Sequence, residues 1–124
     1  MRGVALDSDR PLSVTLLAAL YIIVGAVGFV FHLREPLLNH AFHSDDFLVE
    51  LTEVIALISG LFLLKRRNWA RWLALAWMVF HVILSFFDPL RALVVHAAFC
   101  ALIAWILFRA DAARYFQRVE NNPA

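Results

Sequence analysis

The sequence predicts an all-α, membrane-embedded chain folded as an antiparallel up-down four-helix bundle, and three observations carry that expectation. Four apolar runs, Leu12–Leu33, Phe47–Leu64, Trp69–Phe87 and Leu90–Phe108, fill most of the 124 residues. Each is about as long as the roughly 20 residues an α-helix needs to cross bilayer hydrocarbon. The connections Lys65–Asn68 and Asp88–Pro89 are so short that the helices they join must run antiparallel as neighbours. Lys and Arg collect on one side of the alternating runs. Backbone polar groups in lipid must be paired internally, and barrel strands would alternate apolar with polar residues, which these runs do not. Hydrophobic residues make up 63% of the chain and mean hydropathy is +0.76, against about 45–50% apolar content in soluble domains. A single domain over residues 1–124 follows. The first run is too long for a signal-peptide core, Asp7 and Asp9 precede it, and no small-x-small cleavage site follows.

The first helix opens at Pro11, which suits a first turn, and carries Tyr21, Gly25, Gly28 and His32 on one face. Gly25 and Gly28 let a neighbouring helix approach closely. Asp45 and Asp46 sit at the positive end of the second helix, where Glu53, Ala56 and Gly60 share a face and Glu50 lies one turn before Glu53. Asn68 is placed to cap the third helix, whose stripe is Ala70, Ala74, Trp77, His81, Ser85 and Asp88. Asp88 and Pro89 form an N-cap and first-position pair for the fourth, which aligns His96, Cys100 and Ala104. These small and polar stripes are expected to face inward, leaving Leu, Ile, Val and Phe to lipid. Residues 109–119 form an interfacial amphipathic tail. Trp69, Trp72, Tyr115 and Phe116 are the expected interfacial anchors.

The N-terminal tail, the Lys65–Asn68 turn and the C-terminal tail share one face of the membrane. They hold Arg2, Arg10, Lys65, Arg66, Arg67, Arg71, Arg109, Arg114 and Arg118, while the opposite face has Arg34 and Arg91. The positive-inside rule therefore puts both termini in the cytoplasm. Lys65, Arg66, Arg67 and Arg71 read as a topogenic, lipid-facing basic group that also attracts anionic lipid. Neither basic patch points to nucleic acid. Cys100 is the only cysteine, so disulfides and cysteine-cluster metal sites are not expected.

Chemistry has one place to sit. Glu53 is seven residues past Asp46, His81 seven before Asp88 and His96 seven past Pro89. All three thus lie roughly 10 Å below the outer surface at the 1.5 Å rise of a helix. All five histidines (His32, His40, His43, His81 and His96) and both Glu50 and Glu53 belong to the outer half or outer loop. An ionisable residue at mid-bilayer costs about 2.5–3.5 kcal/mol on insertion scales, so each asks for a role. Three readings compete for Glu53, His81 and His96, with Glu50, His32 and Ser85 in support. One is an interhelical hydrogen-bond network that fixes packing. Another is a bound metal ion, Zn²⁺ or Fe²⁺, or a haem with His81 and His96 as axial ligands. The third is proton or quinone work. His40-x-x-His43 with Asp45 and Asp46 is a lesser metal candidate beside its plain reading as a solvated loop. Arg91 can snorkel outward and pair with Asp88 or Glu50.

The stretch Leu63-Leu64-Lys65-Arg66-Arg67-Asn68-Trp69-Ala70-Arg71-Trp72-Leu73 resembles a hairpin of small bacterial inner-membrane proteins. There a glycine-containing span ends in a basic turn and the next opens with Trp-Ala-Arg. With Asp88-Pro89-Leu90-Arg91 and the outer histidines, the whole chain resembles a family of such four-span proteins. The resemblance implies a bacterial inner-membrane location and supplies no activity. Small multidrug-resistance transporters share the size and span count, but they carry an essential glutamate in the first span and insert in both orientations. Here Glu53 in the second run is the substitute, and the charge bias favours one orientation.

The leading expectation is a structural or accessory membrane subunit, with the bilayer and either a second copy or another membrane protein as partners. A metal- or haem-binding protein is the alternative. A small proton-coupled transporter acting as an oligomer is a minor one.

Overall fold

The structure, a computed structural model, describes residues 10–121, with side chains as far as Gln117. Arg2, Asp7, Asp9 and the Arg118 side chain, which enter the charge and leader readings above, lie outside the described residues. Those residues form α1 (Leu12–Asn39), α2 (Ser44–Leu64), α3 (Asn68–Leu84), a 3-10 turn (Ser85–Phe87), α4 (Leu90–Phe108) and α5 (Ala110–Asn121), with no strand among them. The α1 and α2 helices, the stretch Asn68–Phe87 and α4 are each long and apolar enough to cross a membrane.

The helix ends correct several expectations. Pro11 caps α1 and its carbonyl accepts from Val14 N at 3.0 Å. The helix then runs past Leu33 to Asn39, through a buried Pro36. Proline inside a helix removes a donor and crowds the turn before it, and α1 stops within one further turn. His40 adopts a left-handed conformation (φ 50°) and donates its N–H to the Pro36 carbonyl. The start of α2 is Ser44 rather than Phe47, because the Asp46 carboxylate accepts from His43 N at 2.9 Å and stabilises the first turn. Asn68 does not cap α3. It is the first helical residue, and its Oδ1 accepts from Arg71 Nε at 2.9 Å. Nor does the Asp88 side chain cap α4: Pro89 holds that position, its carbonyl accepting from Ala92 N at 2.8 Å.

Between α1 and α2, α2 and α3, and α3 and α4, early residues of one helix meet late residues of its neighbour. A Cβ placed on Gly25 would lie 2.6 Å from Leu57 N and 2.7 Å from Glu53 O, and one on Gly60 would lie 2.7 Å from Ala18 O. The α1 and α2 backbones therefore touch along a seam that only glycine permits. Phe62 meets Trp69 and Thr52 meets Trp77 across α2 and α3, while Arg71 meets Leu107 and Ser85 meets His96 across α3 and α4. One end of the molecule carries the α2–α3 turn and α5 (the basic end). The other carries the α1–α2 and α3–α4 connections (the histidine end).

Burial is concentrated toward the basic end. Val14, Leu17, Ala18, Leu63, Ala70, Leu107, Ala112, Tyr115 and Phe116 are all buried there. Val14, Leu17, Leu63 and Leu107 turn inward, against the expectation for such residues, while most of the other Leu, Ile, Val and Phe side chains are exposed as expected. The inward stripe of α4 is also rotated. Its buried residues are Ile103 and Leu107, with His96, Cys100 and Ala104 half-buried.

The C-terminal helix departs most from expectation. Ala112, Tyr115 and Phe116 of α5 are buried against the other helices, so these two rings are core residues rather than interfacial anchors, while Trp69 and Trp72 are exposed. Two basic residues hold α5 in place. The Arg66 guanidinium lies 4.4 Å from the Tyr115 ring centroid, and that of Arg71 lies 4.7 Å from Phe108 and 5.2 Å from Phe116. Arg109, at the α4–α5 junction, donates to Ser13 Oγ at 2.6 Å and pairs with Asp111 at 2.8 Å.

Candidate functional site

The residues expected at matching height divide into two clusters. The first joins α1 to α2. The Glu53 carboxylate sits against Gly28, where a Cβ would meet its Cδ and Oε2 at 2.5 Å, and Oε1 lies 3.6 Å from His32 Nδ1. Glycine supplies the hollow and the histidine supplies the partner. Glu53 Oε2 and both carboxylate oxygens of Glu50 are buried with no hydrogen-bond partner among the described residues. Glu53 is therefore paired with His32, its expected supporting residue, and not with His81 or His96.

The second cluster joins α3 to α4 and reaches α1 and α2 through aromatic rings. Tyr21 donates its hydroxyl to the Ala74 carbonyl at 2.7 Å and packs 5.2 Å from the Trp77 ring. Trp77 Nε1 donates to the Thr52 carbonyl at 2.8 Å, and its ring lies 4.1 Å from that of His81. His81 Nδ1 is 2.8 Å from the Trp77 carbonyl. Ser85 Oγ donates to the His81 carbonyl at 2.7 Å and lies 2.6 Å from His96 Nδ1, which is also 2.9 Å from the Ala92 carbonyl. The two imidazole centroids are 6.3 Å apart.

Tautomers follow from that geometry. A carbonyl oxygen only accepts, so His81 Nδ1 must carry a proton to bond Trp77. The Ser85 hydroxyl proton goes to a carbonyl, so Ser85 Oγ accepts from His96 Nδ1, which must be protonated as well. In a neutral ring this leaves Nε2 as a bare lone pair on both histidines. Ser85 is 1% exposed, and it alone hydrogen-bonds both the backbone of one histidine and the ring of the other.

Among the described residues, no three His, Cys, Asp or Glu side chains come together as a group that could hold a metal ion. His81 and His96 come together, and Glu53 pairs on another helix pair with His32. His40 and His43 lie in the exposed connection, where His43 Nδ1 is 3.6 Å from Asp46 Oδ2. Asp88 and Arg91 are exposed.

Toward the basic end, polar groups close on nearby backbone. Ser59 Oγ donates to Ile55 O at 2.7 Å. Arg71, expected to face lipid, is only 5% exposed and donates from Nη1 to the Leu107 carbonyl at 3.0 Å, satisfying an end group of α4. Its importance was available in the spacing. Arg71, Ala74, Met78 and Ser85 are all buried and fall at helical intervals on one stripe. Lys65 and Arg67 are exposed and remain the outward part of the basic turn.

No protein-family model, curated protein or solved structure matches this chain.

Proposed function

We propose that this chain is a multi-pass protein of the bacterial inner membrane, an up-down four-helix bundle with both termini cytoplasmic. It serves as a structural or accessory subunit that binds a second copy or another membrane protein. One observation carries this reading. Five inward polar contacts join helices: Glu53 to His32, Tyr21 to Ala74, Trp77 to Thr52, Ser85 to His96 and Arg71 to Leu107. In lipid, where apolar association between helices has little driving force, such bonds and close glycine contacts set which helices pair. A fold held this way keeps its outer faces free for a partner. On α4 only 11% of the most apolar stretch is buried, and Leu90, Val94, Val95, Phe99, Leu102 and Trp105 all face outward.

The test is photocrosslinking in native membranes from an ultraviolet-reactive residue placed at Leu102 of α4, with Leu16 of α1 as a second site. A discrete protein adduct at either position, as a dimer or with one partner of defined mass, is the expected result. Lipid adducts alone at both positions would refute the accessory reading.

A further inference from the structure

We infer that the histidine end holds one phospholipid, with its phosphate on Arg34 and an acyl chain in the hollows along α1. The inference rests on the membrane-spanning reading and not on the accessory role, since a chain without a protein partner would bind the lipid equally well.

The place follows from where burial stops. Toward the basic end α1 and α4 share the core, which takes in Val14, Leu17, Ile103 and Leu107. Toward the histidine end the same helices leave apolar side chains exposed, among them Val27, Val30 and Phe31 on α1 and Val94 and Val95 on α4. Two hollows lie along α1 in this open part. The larger measures about 460 Å³ and is lined by Ala26, Val27, Val30, Phe31 and Arg34, a size within the roughly 300–1,000 Å³ of ordinary ligand pockets. The deeper one measures about 120 Å³ and brings Leu20 and Val24 of α1 together with Phe99 and Ile103 of α4 and Trp77 of α3.

The dimensions and the lining suit a hydrocarbon tail. Ala26 and Arg34 are eight residues apart, about 12 Å along a helix. Half of a hydrocarbon core of about 30 Å is about 15 Å, so the larger hollow covers most of one leaflet. The polar atoms beside the deeper hollow are already spent. Tyr21 donates to the Ala74 carbonyl and Trp77 Nε1 to the Thr52 carbonyl. A ligand with polar groups along its length would leave them unpaired there, whereas an acyl chain has none to satisfy.

Arg34 supplies the headgroup contact. It is exposed at the outer end of the larger hollow and makes no ion pair among the described residues. Its apolar stem can follow the hollow while the guanidinium stays at the interface, where its flat fork matches a phosphate. The surroundings select the rest of the headgroup. This end exposes the carboxylates of Glu35, Asp45 and Asp88 against the guanidinium groups of Arg34 and Arg91. A net anionic lipid would meet that acidic surplus, while a zwitterionic headgroup offers it an ammonium. The occupant is therefore a phosphoethanolamine-type lipid rather than an anionic one.

The test is native mass spectrometry of the full chain, released from detergent after incubation with equal amounts of phosphatidylethanolamine and phosphatidylglycerol of identical acyl chains. One phosphatidylethanolamine per chain is the expected adduct. Arg34→Gln should reduce it about tenfold, and Ala26→Phe, which fills the larger hollow from an exposed position, should displace it. Arg67→Gln at the basic end should leave it unchanged. A phosphatidylethanolamine with a photoreactive acyl chain, used on the unmutated chain in nanodiscs, covers the case in which a variant fails to fold. Its adducts should fall on α1 between Ala26 and Arg34. Equal retention in Arg34→Gln, a preference for phosphatidylglycerol, or adducts spread evenly over the four long helices would overturn the site. So would a lipid-free dimer, which would put a second copy in the hollows. A chain that never enters nanodiscs would overturn the membrane reading itself, and one that enters them but retains no lipid would overturn the site alone.

Discussion

Replacing Gly25 with alanine adds one methyl group at the place where α1 and α2 approach most closely. That methyl would sit 2.6 Å from Leu57 N, 2.7 Å from Glu53 O and 2.9 Å from Leu57 Cα, all backbone atoms. Contacts of this kind are comfortable near 3.5 Å or beyond, so the helices must part by roughly 0.6–0.9 Å. Inserting a methyl into a packed interface costs about 1–3 kcal/mol, and three backbone clashes put Gly25→Ala in the upper part of that range. Alanine regains about 1 kcal/mol of helix propensity. The net loss is then about 1–2 kcal/mol, a fivefold to thirtyfold shift in the folding equilibrium at about 1.4 kcal/mol per tenfold. Gly28→Ala is the internal control. The three atoms nearest that methyl all belong to the Glu53 carboxylate, the far end of a side chain, and the change is expected to cost under about 0.5 kcal/mol while breaking the His32 contact. Reversible unfolding by sodium dodecyl sulfate in mixed micelles, followed by circular dichroism, measures both. Equal effects at the two positions, or a Gly25→Ala protein that gains stability by its helix propensity alone, would refute the close seam.

The other perturbations address single bonds. Arg71→Met removes a buried cation that satisfies the end of α4 and lies against two rings. It should cost about 2–3 kcal/mol and release α5, seen as faster proteolysis near Arg114. Tyr21→Phe leaves the ring against Trp77 and deletes the bond to Ala74, for a loss of about 1 kcal/mol by the same unfolding assay. Ser85→Ala cuts the link between the two histidines. It should cost about 1 kcal/mol and broaden the His96 ring resonances in NMR spectra of the detergent-solubilised protein.

The long elements were plain in the sequence, because apolar length alone marks a helix able to cross a membrane. The fourth run coincides with α4 at both ends. The candidate site was legible in part: His81 and His96 do come close, while Glu53 pairs separately with His32. Seven-residue offsets placed Glu53, His81 and His96 at one level, since rise per residue is fixed. Which way each side chain turns depends on the neighbour that leaves room for it. Gly28 provides that hollow for Glu53 on the α1 side, and Ser85 bridges the histidines between α3 and α4. Arg71 was passed over for a related reason, although its spacing from Ala74, Met78 and Ser85 offered a signal. A cation beside a basic turn reads as a topology signal, and its burial depends on Phe108 and Phe116 arriving from elsewhere in the chain. The extension of α1 past Leu33 also ran against local signals, since Arg34, Glu35 and Pro36 together look like a helix end.

Membrane insertion with a defined orientation is the central claim, and cysteine accessibility in intact cells tests it most directly. In a Cys100→Ser background, Phe42→Cys marks the connection between α1 and α2, and Arg67→Cys marks the turn between α2 and α3. A membrane-impermeant maleimide should label position 42 in intact cells and position 67 only after the membrane is permeabilised. Labelling at 67 in intact cells with protection at 42 would reverse the orientation. Labelling of both positions only after permeabilisation, on protein recovered in the soluble fraction, would contradict insertion itself.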